Sequence, residues 1–130
     1  LKRAMESPYK GETGLKRLSS ATRNSLAGLA EAVRHEDAFR MELVIAAVLL
    51  PLAFFLDVTP LEKAMLAGSV LLVLIVELLN SAIEATVDRI SLENHRLAKR
   101  AKDIGSAAVM LALIAAGLVW LLIVIVPSST

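Results

Sequence analysis

The sequence contains no cysteine among its 130 residues, which removes disulfides, thiolate nucleophiles and cysteine-based zinc sites from consideration. It also lacks the GxxxxGK(S/T) phosphate loop, the kinase Gly-rich loop and the HRD and DFG sequences, so no soluble nucleotide-binding module is encoded. An apolar run is missing from the start: Leu1 to Gly14 is polar, with Pro8, Gly11 and Gly14. That stretch reads as a flexible tail over residues 1–14 and not as a signal peptide. Neither sign of charge is in excess, with 14 Lys and Arg against 13 Asp and Glu. The two histidines, His35 and His95, stand in no metal-ligand spacing.

What the chain has in abundance is apolar character, at 56% of residues and a mean hydropathy of +0.66. That is too apolar for an ordinary soluble domain of this length, so the remaining chain, 15–130, is expected to form one all-α domain in a bilayer. The apolar residues are concentrated in Leu43–Leu56, Ala64–Ile83 and Ile104–Val126, which carry almost no charge. Three spans are expected, over about 38–58, 61–86 and 104–126. The third is long enough at about 1.5 Å per residue to cross roughly 30 Å of hydrocarbon. The first is short, and a re-entrant segment stays open for it; Pro51 should kink it or be compensated by a neighbour. Ahead of the spans, Leu15, Leu18, Thr22, Leu26, Leu29 and Val33 recur at three- and four-residue intervals. This spacing predicts an amphipathic surface helix over 15–35, its apolar stripe in the headgroup layer and its basic residues toward anionic lipid or phosphate.

The distribution of charge predicts an orientation. Lys2, Arg3, Lys10, Lys16, Arg17, Arg23, Arg34 and Arg40 precede the first span, Arg89, Arg96, Lys99, Arg100 and Lys102 lie between the second and third, and Lys63 stands alone. Lys and Arg collect on the cytoplasmic side, so the N-terminus and the 88–103 loop are expected there, with the Asp57–Lys63 turn and the C-terminal end outside. The location expected is an inner, cytoplasmic membrane. Setting topology is a sufficient role for most of these charges taken singly.

The chemistry concentrates on Glu77-Leu78-Leu79-Asn80-Ser81-Ala82-Ile83-Glu84-Ala85-Thr86-Val87-Asp88. At about 100° per residue, Asn80, Ser81, Glu84 and Asp88 all fall within about 60° of Glu77, on one helical stripe. Glu77 would lie inside the inner leaflet, where a carboxylate costs about 2.5–3.5 kcal/mol on insertion scales and normally faces a bundle interior or a wet cavity. Glu77 can equally be a protonated acid that joins helices, and Asn80 and Ser81 can be interhelical adhesives. Glu36, Arg40 and Glu42 ahead of the first span, and Lys102, Asp103 and Ser106 at the third, fall at a similar depth. If these segments pack together, Glu36 and Glu84 could hold magnesium, which favours one or two carboxylates plus water and phosphate oxygens. Lys102 and Arg17 could neutralise phosphate charge.

Ile75-Val76-Glu77-Leu78-Leu79-Asn80-Ser81-Ala82-Ile83-Glu84-Ala85-Thr86-Val87-Asp88-Arg89, followed by Ala101-Lys102-Asp103-Ile104-Gly105-Ser106-Ala107-Ala108-Val109, closely resembles the signature of the prokaryotic diacylglycerol kinase family. Glu36-Asp37-Ala38-Phe39-Arg40-Met41-Glu42 and Gly14-Leu15-Lys16-Arg17 resemble its N-terminal elements. The resemblance extends over nearly all of Gly14 to Val126. It implies a homotrimer of three-span subunits with active sites shared between neighbours, and phosphoryl transfer from MgATP to diacylglycerol. It also implies Glu77 as catalytic base and lipid contact, and Glu36 and Glu84 as ligands of Mg2+ and ATP. Arg17, Glu93, His95, Lys102 and Asp103 match positions associated with ATP. Arg17, Arg40, Glu42, Asn80 and Ser106 match positions associated with the lipid substrate. The chain departs from the family at Asn24 and Asn94, where members can carry tyrosine, and at Pro51. A related branch phosphorylates undecaprenol, and Asn80-Ser81 with Asp88-Arg89 resembles the diacylglycerol branch more.

Two readings of other kinds compete. A small proton- or cation-coupled transporter would use Glu77 and Glu84 as its ion site, but would leave the charged 88–103 loop without a task. A structural subunit would use the polar stripe only to bind partner helices.

Overall fold

A computed structural model describes residues 13–90 and 96–128, and every regular element among them is helical. The expected Glu93 and His95 contacts, and Asn94, lie outside the described residues. The chain divides into two compact units, one ending at His35 and the other beginning at Glu36.

The first unit carries α1 (Gly14–His35). Gly14 begins it with φ at +52°, a backbone conformation that glycine adopts without a Cβ penalty. Leu15, Leu18, Leu26, Leu29 and Val33 stay exposed along the helix, while Thr22 and Ser25 donate their hydroxyls to the carbonyls of Leu18 and Ala21, each at 2.9 Å. Arg34 and His35 occupy the last turn, where positive charge suits the helix dipole. An apolar stripe left bare on a helix with a charged opposite face suits the plane of a membrane interface.

The second unit consists of α2 (Asp37–Phe55), α3 (Pro60–Ile90) and α4 (Arg96–Trp120), the last continuing as a π-helical turn over Leu121–Ile125. Among the described residues, three helices are therefore long and apolar enough to cross a membrane. Pro51 does not end α2, which runs on to Phe55. The α2–α3 turn is built by Thr59 and Glu62. Thr59 donates its backbone N–H and its hydroxyl to Glu62 Oε1, at 3.1 and 2.8 Å, and Glu62 N–H donates to Thr59 Oγ1 at 3.2 Å. This reciprocal capping box, with Pro60 next to the cap, starts α3. Lys63 Nζ reaches back to the Phe54 carbonyl at 2.8 Å, covering an acceptor that the end of α2 leaves open.

Helix α3 packs against both α2 and α4 and is the most buried of the three. Next to the turn, Ala53, Leu66 and Ala67 form a closed core with Leu50, Leu56, Val58, Val119, Trp120 and Ile123 around it. Elsewhere large apolar side chains such as Val44, Ile75, Leu79, Leu111 and Leu122 remain exposed. In a bilayer that exposure carries no hydrophobic penalty, because lipid tails are as apolar as leucine.

Candidate active site

The polar stripe of α3 enters the packed part of the second unit at Glu77. Glu77 is 6% exposed and Asn80 is 8% exposed; Ser81 and Glu84 are half-buried, and Asp88 is in the open. Burial thus decreases steadily along the stripe, as expected for a row of polar groups climbing from the apolar layer to water. The carboxyl of Glu42, on α2, faces that of Glu77. Glu77 also lies within electrostatic range of Glu84 and of Glu36, the residue that precedes α2 in extended backbone (φ −117°, ψ 105°). Three carboxyl groups, Glu36, Glu42 and Glu84, therefore act on one buried acid, Glu77. Asn80 joins them, its Nδ2 donating to Glu84 Oε1 at 3.4 Å.

At the open end of the stripe α4 supplies cations. Lys102 Nζ pairs with Asp88 Oδ1 at 2.5 Å, tying the start of α4 to the end of α3, and Lys99 pairs with Asp103 at 2.7 Å. Arg40 is exposed on α2 and pairs with Asp37 one turn earlier. Ser106 and Asp103 are exposed on α4. Arg17 is exposed on α1, in the other unit. On the apolar side of Glu42 a cavity of about 300 Å³ runs between the three helices to Trp120, lined by Ile45, Leu49, Val73 and Leu113 among others.

Among the described residues no three His, Cys, Asp or Glu side chains gather into a self-sufficient metal site. Magnesium carried by a nucleotide needs only one or two carboxylates, because water and phosphate oxygens complete its shell. Glu36 and Glu84, both half-buried near the open end, have the hard oxygen donors for it.

Residues 23–124 match the family described as prokaryotic diacylglycerol kinase. The chain belongs to that family. A diacylglycerol kinase of Pseudomonas aeruginosa is 57% identical over 114 residues, covering 88% of this chain and 93% of the relative. One from Escherichia coli (strain K12) is 49% identical over 108 residues, 83% and 88% of the two chains. One from Helicobacter pylori (strain 26695) is 42% identical over 107 residues, 82% and 84% of the two. The prokaryotic diacylglycerol kinase match runs from within α1 into the π-helical turn, so it covers all of α2, α3 and α4 and the acids gathered on them.

One feature of the site is invisible in the sequence pattern. Gly105, buried on α4, lies directly beneath the Asn80 side chain. A glycine inside a helix gives no sign of what lies across from it; only the packing of α3 on α4 brings the two together.

Proposed function

We propose that the chain is a lipid kinase that transfers the γ-phosphoryl group of MgATP to the hydroxyl of diacylglycerol, giving phosphatidic acid and ADP. The observation that carries this reading is the buried Glu77, facing Glu42 and within electrostatic range of Glu36 and Glu84, in a chain of this family. In the reaction the lipid oxygen forms a bond to the γ-phosphorus as the bond from that phosphorus to the ADP oxygen breaks, and Glu77 receives the hydroxyl proton. Asn80 steadies Glu84 through its amide. Glu36 and Glu84 would hold the magnesium that arrives with the nucleotide, and that ion supplies neutralisation of phosphate charge. Lys102 and Asp103, at the open end, are assigned to ATP; exchange of Lys102 from Asp88 to a phosphate would keep the cation paired throughout. Arg40, Glu42 and Ser106 are assigned to the lipid. The roles of Arg17 on α1, and of Glu93 and His95, rest on the family resemblance.

Phosphoryl transfer asks for positioning and charge neutralisation more than for elaborate covalent chemistry, so a chain without a soluble nucleotide fold can perform it. The nucleotide reaches the site from the cytoplasm, in line with the basic N-terminal and 88–103 segments, and the protein works as a homotrimer whose sites are shared between neighbours. The deciding experiment offers γ-labelled ATP with diacylglycerol and undecaprenol in competition to the purified protein in mixed micelles. Label should enter phosphatidic acid; label in undecaprenyl phosphate alone, or in neither lipid, would sink the assignment.

A further inference from the structure

We propose that Gly105 is a positioning residue for phosphoryl transfer: the missing side chain at this point of α4 opens the notch that holds the Asn80 amide turned toward Glu84. The inference rests on the kinase reading above and adds to it a residue that touches no substrate. Glycine inside a helix is unfavourable relative to alanine, so a buried helical glycine has to be explained by what surrounds it. At Gly105 the surroundings are specific. The three heavy atoms nearest to the place a Cβ would occupy all belong to one side chain, Asn80: Oδ1 in outright collision, Cγ at 3.3 Å and Cβ at 4.0 Å. The backbone of α3 is not the obstacle. Gly68 on α3 and Gly117 on α4 meet nothing within 4 Å of the same position, so close helix packing alone does not account for glycine at 105.

Any yielding of the Asn80 amide moves the donor that it offers to Glu84. Its Oδ1 is buried and takes no hydrogen bond, while Nδ2 donates to Glu84. That orientation is the chemically sensible one, since turning the amide over would set oxygen against carboxylate oxygen. A methyl group at 105 would evict the oxygen from its notch. The Nδ2 donor would swing with it, and Glu84 would lose the group that orients it next to Glu77. A displacement of about 1 Å at such a point is enough to cost up to about a hundredfold in rate.

The test is a double-mutant cycle on the full chain in detergent micelles: Gly105→Ala, Asn80→Ala, the pair together, and Gly68→Ala as the control for replacing a helical glycine. Turnover of diacylglycerol is measured with both KM values, and thermal unfolding is followed on the same samples. Gly105→Ala should lower kcat by about tenfold or more, with KM for ATP and for lipid held within about twofold. The pair should melt no lower than Asn80→Ala alone and turn over no more slowly, because the collision disappears with the side chain it strikes. Gly68→Ala should match the wild type. Additive losses in the pair, a kcat for Gly105→Ala within about twofold of wild type, or a loss carried by KM would each overturn the proposal. Should the wild type itself fail to phosphorylate lipid, the kinase reading falls, and the melting measurements still decide whether Gly105 acts through Asn80.

Discussion

Glu77 illustrates how one residue can be unfavourable for assembly and necessary for function. A carboxyl group that is 6% exposed on a membrane-spanning helix is retained against a desolvation cost. Replacing it with glutamine keeps the shape and removes the ionisable group. Glu77→Gln is therefore expected to lower kcat by about 10²–10⁴-fold, the range associated with a general base, while the protein melts at the same temperature or higher. Preserved turnover in this variant would remove Glu77 from the reaction. Lys102, on the exposed side of the site, should behave differently. Its partner Asp88 lies near the surface, so Lys102→Met should leave the melting temperature almost unchanged and raise KM for ATP by about tenfold, the expected loss of a charge-assisted phosphate contact. Titration of initial rates against ATP checks it, and an unchanged KM would place Lys102 in a purely structural pair. The 3.6-residue period disclosed the Glu77 stripe because a helix repeats its faces. The pairing of Lys102 with Asp88 crosses between helices, and no period within one segment encodes it.

At the scale of the element, the helices were legible as apolar runs and as the three- and four-residue spacing of Leu15 to Val33. The start of α3 is fixed by the bonds between Thr59 and Glu62, with Pro60 next to the cap. Thr59→Ala removes both hydroxyl contacts and should cost about 1 kcal/mol of stability, read as a lower thermal midpoint with kinase activity at the permissive temperature intact; an unchanged midpoint would show that water replaces the cap without loss. Polar helix continuations are harder to read. Helix α3 runs to Ile90 and α4 begins at Arg96, past the apolar runs that mark membrane contact, because a helix can continue into the aqueous layer once its face is paired. Pro51 is another such case. Its ring removes one backbone donor, yet α2 continues to Phe55.

For the whole molecule, the absence of native cysteine makes topology directly testable. Single cysteines at Asp57 and at Arg100, both exposed, should report opposite sides of the membrane. In intact cells a membrane-impermeant maleimide should label the cysteine at 57 and spare the one at 100 until the membrane is opened, and the reverse pattern would invert the orientation derived from the basic residues. Membrane residence, the number of helices and the polar stripe on α3 followed from the sequence alone, since hydropathy and helical periodicity are properties of a single segment in its solvent. The meeting of Glu42 with Glu77, the approach of Glu36 to that acid, and the notch over Gly105 were decided only by tertiary structure. Each depends on how far one helix slides and turns against another, and that register is set by the sum of many side-chain contacts, which no single stretch of sequence contains.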